Sequence, residues 1–366
     1  MKINSTKDNL LEGMQVIQST ISSRTTLPIL HNFLMEAGES NIKLVRTDLE
    51  MAAIHFINAE VVQPGSMTIP MKEFSDIIHT LPAEQEISIY TDQNKVHIHC
   101  GKSKFWVMGS PKEEYPLIPD MGKSEMLELN AAAIQDMIQK TIFAASNQET
   151  RYVLNGLLWV NGKDGFEMVA TDGRRLAIAK RPAAGGKQFK LIVPTKVLYE
   201  LLRFLGINKP EPEEPMSIGI SDNQIGFQMR QTTFISRLVE GNFPNYEQVL
   251  PSKKEIIFEA DSAGLLDVTK RAALCGDGKG AVKYQMKEGT MMVSASSQKM
   301  EFSDEVKVES KSPDFQVSFN PQYVADVLKN AAAEKMIFSM TNSTNPVLVE
   351  PAGRTDCKYI IMPVRS

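Results

Sequence analysis

The feature that most limits what this chain can fold into is that it says nearly the same thing twice. VRTDLEMAAIH at 45–55 superposes on VATDGRRLAIA at 169–179, pairing Val45 with Val169, Thr47 with Thr171, Asp48 with Asp172, Ala53 with Ala177 and Ile54 with Ile178 at a constant offset of 124. MTIPMKEF at 67–74 falls over LIVPTKVL at 191–198 in the same register, setting Pro70 on Pro194 and Lys72 on Lys196, and LHNFLM at 30–35 falls over LNGLLW at 154–159. Three separate segments that agree on one register mark a duplication, and a repeat has to be settled before any local motif is read. A third, weaker copy follows: MVSAS from Met292 answers MVATD from Met168, Gly280 answers Gly156, and FNPQYVADVL at 319–328 takes the place of VPTKVLYELL two residues out of register. Copies of about 122 residues fill the whole 366, which predicts three like domains in tandem, 1–124, 125–252 and 253–366, parted at DMGKSEM (120–126) and PSKKE (251–255).

Within each copy the hydrophobic periodicity repeats as well. Helical spacing runs through AAIQDMIQKTIFAA (132–145), SAGLLDVTKRAAL (262–274) and TKVLYELLRFLG (195–206), whereas KVHIHC, KFWVM, GLLWV, FEMVA, QIGFQM and FISRLV alternate as half-buried strands bounded by turn pairs such as NG and DG. The expected fold class is α+β, each domain built of two helices and antiparallel sheets. NKPEPEEP (208–215) reads as an exposed connection inside the second copy.

Composition excludes several classes. Apolar residues make up 42% and charged residues 23%, and no apolar run approaches the roughly 18 residues that cross a bilayer. MKINSTKDNLLEGM has no apolar signal core, which points to the cytoplasm and to no membrane partner. Cys100, Cys275 and Cys357 stand far apart with no CxxC spacing and read as reduced, structural thiols. A net charge of −4 rules out blanket phosphate neutralisation, so any nucleic-acid contact has to be local.

SRTTLPILHNFL, RTDLEMAA, ETRYVLNG, VATDGRRLA, LVEGNFPNYEQVLP and the terminal YIIMPVRS, taken together and in this order, resemble the bacterial DNA sliding clamps, the beta subunits of DNA polymerase III. The resemblance spans the chain. It implies a head-to-tail homodimer of six domains closed around double-stranded DNA, half of that ring per chain, with helices inside and sheets outside. It also implies a processivity factor that tethers polymerase and catalyses nothing. The implied partners are the replicative polymerase catalytic subunit, the clamp loader, translesion polymerases, and mismatch-repair and ligase-type proteins, all bound through short linear motifs; no cofactor is implied. An acidic total charge suits a ring that slides, since topology rather than counterion release would hold it on DNA.

The DNA-facing candidates are the helix cations Lys72, Lys140, Lys196, Arg203, Lys270 and Arg271, which share their helices with Asp76, Asp136, Glu200 and Asp267 and so also read as ordinary solvated faces. By resemblance, Arg24, Gln148, Arg151 and Tyr152 lie in loops that touch DNA; Val153 stands where some relatives carry a second aromatic ring. The partner pocket is expected between the second and third domains. TDGRRL differs from TDLEMA at Gly173, Arg174 and Arg175, and a glycine there permits a positive-φ turn beside Leu154, Thr171 and Leu176. By resemblance, Pro244 and Val249 adjoin this wall, and Asn320, Tyr323, Thr344, Pro346, Ile360, Met362, Pro363, Val364 and Arg365 close it, for an apolar peptide with few polar guides. Arg174, Gln248, Thr344, Pro346 and Ser366 depart from residues frequent in the family and bear on which motif is preferred. For the dimer, the resemblance singles out Phe105 and Leu274, with Lys102 and Lys104 facing acids such as Glu301, Asp304 or Glu305.

Two rival readings are a metal enzyme and a DNA-free repeat scaffold. All five histidines, at 31, 55, 79, 97 and 99, lie in the first copy, and His97 and His99 share one face of a strand, but a third ligand at metal spacing is missing. Asp48 and Asp172 read as acceptors for backbone donors in a repeated turn. There is no GxSxG, Walker loop or HExxH.

Overall fold

The computed structural model describes residues 1–18, 27–118, 121, 125–183, 185–276, 280–287, 289–310 and 312–364. Its α-helices among these come two to a repeat: α1 (Lys7–Ile17) and α2 (Met71–Thr80), α3 (Ala131–Gln139) and α4 (Thr195–Asn208), α5 (Ser262–Ala273) and α6 (Pro321–Asn330). The chain is thus α+β, with two helices to a repeat and antiparallel sheets. The capping is local and legible. Thr6 accepts from the Asn9 amide, Asp261 from that of Gly264 and Asn320 from that of Gln322, each satisfying an orphan donor of a first turn. α3 is shorter than the periodicity through residue 145 suggests. At Thr141 the backbone leaves helical geometry (φ −125°), its hydroxyl bonds back to the Met137 carbonyl at 2.7 Å, and a 3₁₀ turn, Ile142–Ala144, takes over.

By contact the chain forms two compact units, Met1–Ala132 with Lys196–Leu238, and Ala133–Thr195 with Val239–Ser366, so the central repeat contributes to both. Unit 1 holds two sheets. One has five strands, in the order Glu60–Gln63, Lys2–Ser5, Ile87–Asp92, Lys95–Cys100, Ser103–Met108. The other has eight: Glu125–Asn130, Pro215–Ile220, Gln224–Met229, Thr232–Arg237, Met51–Asn58, Asn41–Thr47, Asn32–Ala37, Gly65–Pro70. The first and second repeats meet where Thr232–Arg237 pairs with Met51–Asn58, setting Thr232 opposite His55.

Unit 2 is built on one sheet of twelve strands, from Phe189–Pro194 through Gly156–Gly162, Gly165–Thr171 and Arg175–Arg181 to Cys357–Ile361, then Val347–Pro351, Lys335–Met340, Ile256–Asp261, Glu301–Ser310, Thr290–Ser296, Val282–Lys287 and Phe315–Phe319. Here the second and third repeats meet, with Arg175 opposite Ile361. The duplication reaches the cores. Leu34, Val45 and Ile54 are buried together in unit 1, and their counterparts Leu158, Val169 and Ile178 are buried together in unit 2. All three cysteines are buried free thiols. Among the described residues no helix is long and apolar enough to cross a membrane.

Candidate functional site

The turn after Gly165–Thr171 is held by its own side chains. The Thr171 hydroxyl donates to the Arg175 carbonyl at 2.6 Å and accepts from the Gly173 amide at 3.0 Å; the Asp172 carboxylate accepts the amides of Arg174 (2.8 Å) and Arg175 (3.0 Å). These bonds recur in the first repeat, where Thr47 donates to the Met51 carbonyl and accepts from the Leu49 amide, and Asp48 takes the amides of Glu50 and Met51. The two aspartates therefore serve as backbone acceptors, as a structural duplication requires. Gly173 has φ 85°, in the left-handed region, and a Cβ there would lie 3.0 Å from Arg151 Nη1, which donates to the Asp172 carbonyl at 3.1 Å. The glycine thus also makes room for a guanidinium laid over the turn.

Beside this turn, within unit 2, is a cavity of about 140 Å³ lined by Leu154, Thr171, Gly173, Arg174, Arg175, Leu176, Pro244, Val249, Ile360 and Met362, together with Asn245 and Tyr246. Leu154, Leu176 and Ile360 are buried members of the adjoining core as well as walls of the cavity. Asn245 and Tyr246 escape a residue-by-residue reading although both stand inside the NFPNYEQV stretch. The Tyr246 hydroxyl donates to Glu167 at 3.0 Å; burial, reinforced by Glu167, pushes its pKa up and keeps it a donor. Arg175 is fixed on every side. It bonds Asp172 (3.1 Å) and Asp326, and its guanidinium lies 4.7 Å from the Tyr323 ring centroid and 5.5 Å from that of Phe143. Met362 donates its amide to the Arg174 carbonyl at 2.9 Å, and Val364 donates to that of Ser318 at 2.8 Å, tying down the tail.

Asn320, Tyr323, Thr344, Pro346, Pro363 and Val364 do not line this cavity. Asn320 caps α6, Tyr323 stacks on Arg175, and Thr344 closes an exposed turn on Asn342. Arg365 and Arg24 lie outside the described residues.

The candidate cations are placed unequally. Lys72 is exposed and pairs with Asp76 at 3.1 Å, and Lys270 is exposed in the last turn of α5, with Arg271 beside it bonding Asp304 at 2.6 Å. Lys196 pairs with Asp48 and reaches Glu50 at 3.7 Å. Gln148, Arg151 and Tyr152 are exposed in a 3₁₀ segment and its N-cap. Two expectations need correction. Lys140 is 3% exposed and bridges Asp136 (2.8 Å) and Asp356 (3.1 Å), so its ammonium does not reach solvent. Arg203 donates to the carbonyls of Gln15 and Val16, both at 2.9 Å, capping the end of α1. Both read as helix cations in the sequence, although α3 ends at Gln139, one residue before Lys140; only packing reveals that their donors are already engaged.

The Lys140 site is an ionic cluster. Arg181 bonds Asp136 and Asp356, and Arg354 grips Asp356 with two nitrogens at 2.6 and 2.9 Å. Burial alone would raise the Asp356 pKa, but hydrogen bonds from Arg354 and Lys140 outweigh it and hold the carboxyl far below its usual range.

Phe105 (38% exposed), Lys102 and Lys104 lie on or beside the edge strand Ser103–Met108, and Leu274 is 66% exposed after α5. His97 and His99 share a strand face with ring centroids 6.3 Å apart, packed against Tyr90. Among the described residues no group of three His, Cys, Asp or Glu side chains is placed to hold a metal.

The whole chain matches one family. Residues 1–119 match the profile of the DNA polymerase III beta subunit, N-terminal domain, 128–245 that of its central domain and 247–365 that of its C-terminal domain. The beta sliding clamp of Escherichia coli (strain K12) is 30% identical over 369 residues, covering 100% of both chains. Among solved structures, the DNA polymerase III subunit beta of Pseudomonas aeruginosa superposes with a TM-score of 0.94 at 29% identity, covering 100% of both chains. The sliding clamp of Bacillus subtilis superposes with a TM-score of 0.93 at 26% identity, covering 100% of this chain and 99% of that one.

Proposed function

This chain belongs to the DNA polymerase III beta subunit family, the beta sliding clamps, and from that membership we propose that two copies close head to tail into a six-domain ring around duplex DNA. The family is a non-catalytic processivity factor of DNA replication, and its partners are DNA and polymerase. The observation that carries the reading is the match of all three successive family domains, in order, along one chain.

Two strand edges support the head-to-tail closure. Ser103–Met108 ends its sheet in unit 1, and in unit 2 the first part of Glu301–Ser310 pairs with Thr290–Ser296 on one side, while Ile256–Asp261 takes only Val308–Ser310 on the other. Exposed edges are templates for pairing with another chain. One edge carries Lys102 and Lys104, and the other Glu301, Asp304 and Glu305; Phe105 and Leu274 supply apolar surface to cover. Two different patches on each copy give a heterologous contact that can close.

The cavity beside Gly173 is the proposed seat of a partner's linear motif. Its leucines, isoleucine and methionine would take apolar anchors, and the exposed Arg174 would supply a polar guide. The proposed users are the replicative polymerase catalytic subunit, the loader, translesion polymerases, and mismatch-repair and ligase-type proteins. Lys72, Lys196, Lys270, Arg271, Gln148, Arg151 and Tyr152 are the proposed DNA-facing residues, with Lys140 removed and Arg203 assigned to α1.

The test is retention on nicked circular DNA after loading, followed by gel filtration before and after the circle is linearised. Protein that stays with circles and runs off ends establishes encirclement. Protein that never co-elutes despite a competent loader overturns it.

A further inference from the structure

One side of the cavity beside Gly173 is a surface segment that carries Pro244, Asn245, Tyr246 and Val249. Its backbone does little to hold it in place. Val239 donates to the Ile192 carbonyl at 2.9 Å, and from there to Leu250 the backbone bonds among the described residues stay within the segment, Val249 to Tyr246 and Leu250 to Glu247. Two side chains pin it instead. Phe243 is buried with Leu158, Val169 and Ile178, and the Tyr246 hydroxyl donates to one oxygen of Glu167 at 3.0 Å. The other Glu167 oxygen takes the ammonium of Lys180 at 2.8 Å, from the residue directly opposite on the paired strand. Neither Glu167 nor Lys180 lines the cavity.

The first repeat lacks both halves of this latch. There YPLI (115–118) takes the place of FPNY (243–246): Tyr115 is buried with Leu34, Val45 and Ile54, the counterparts of the residues around Phe243, and Ile118 packs on that core as Tyr246 packs on its own. The hydroxyl of this stretch sits on the other ring. Tyr115 donates to the Asn32 carbonyl at 3.2 Å and accepts from the Thr47 amide at 3.3 Å. In the sheet, the row Glu36, Lys43, Phe56 replaces Val160, Glu167, Lys180, and its one carboxylate, Glu36, already holds Lys43 at 3.3 Å and Lys112 as well. The hydroxyl at 246 and the carboxylate at 167 therefore occur together in one copy, and both are replaced in the other.

We infer that Glu167 is a positioning residue for the linear motif, a role that rests on the cavity being the motif's seat. Held by Lys180, it fixes Tyr246 and with it the distance between the Pro244–Val249 wall and the wall of Leu176 and Ile360. A supporting residue of this kind acts by keeping the contacting side chains in place before the ligand arrives. Without it the segment would hang on Phe243 alone, and the peptide would have to order the wall as it bound.

The test measures binding of a fluorescein-labelled pentapeptide, SLSLF, to the full chain by fluorescence anisotropy, with thermal melting alongside. Tyr246→Phe keeps the ring and removes only the hydroxyl. It should weaken binding about tenfold, as loss of a hydrogen bond to a charged group does, with little change in melting temperature. Glu167→Leu should weaken binding as much, and the double variant no more than either alone, because the two residues act through one bond. Glu167→Gln still offers the hydroxyl a carbonyl oxygen and should recover most of the affinity; a role in stability alone predicts neither that recovery nor the non-additive losses. Wild-type affinity in Tyr246→Phe, or losses that add in the double variant, overturns the positioning role and leaves the cavity as the seat. A wild-type chain that does not bind the peptide removes the seat and the positioning role together. Should Glu167→Leu fail to fold, Tyr246→Phe and Glu167→Gln decide.

Discussion

The turns at Thr47–Met51 and Thr171–Arg175 share their hydrogen bonds and their backbone, yet one bears Leu49 and the other Gly173. Leu49 adopts φ 79° and Gly173 φ 85°, so a side chain can be forced into this conformation, at a cost of about 1 kcal/mol or more. A side chain at Gly173 would press on the Arg151 guanidinium, the movable end of an exposed side chain, whereas Leu49 points out, 45% exposed. The shared hydrogen-bond scheme thus preserves the turn whichever residue stands at its apex.

The strongest contrast between the units is electrostatic, and Asp356→Ala should expose it. Removing this carboxylate leaves Lys140 with Asp136 alone and Arg354 without its bidentate partner, which should destabilise unit 2 by about 3 kcal/mol, read by calorimetry. An unchanged melting profile would mean the cluster contributes no stability.

Unit 1 has instead a buried neutral group at its repeat junction. His55 is 5% exposed, bonds the Thr232 hydroxyl at 2.9 Å, and burial lowers its pKa from 6.5 to about 4. Below pH 6.5 the unfolded chain binds a proton that the folded chain refuses until about pH 4. Stability is therefore complete above pH 6.5 and falls by about 3 kcal/mol as the pH drops towards 4. His55→Gln should flatten that dependence in denaturant titrations across this range; an unchanged slope would assign it to other groups.

Exchanging the turn residues tests the comparison directly. Gly173→Leu should displace Arg151 and weaken binding of a motif peptide to the cavity by roughly tenfold, in fluorescence anisotropy, with the chain still folded. Leu49→Gly should stabilise unit 1 by about 0.5 to 1 kcal/mol through relief of the positive φ. A destabilised Leu49→Gly would show that packing of the leucine, and not its backbone, sets the balance. The smallest effect is expected at the Lys72–Asp76 pair, which is fully solvated: Lys72→Gln should leave the melting temperature unmoved while lowering retention on DNA in salt titrations.

Much of this architecture was legible in the chain. The offset of 124 alone announced the repeated helices, the duplicated threonine and aspartate turns and the matched cores, because hydrophobic periodicity and side-chain caps are local and recur wherever the residues do. Sequence also placed most of the cavity wall around Gly173 and Leu176. It did not reveal which cations were free. Lys140, just past the end of α3, and Lys72, on α2, each have an aspartate four residues away, yet one is buried on Asp356, 216 residues distant, and the other stands in water. Nor could it reveal that the central repeat is shared between two compact units, since strand pairing such as His55 with Thr232 joins residues 177 apart. Those outcomes depend on long-range register and on desolvation, which no local pattern encodes; only the tertiary structure decided them.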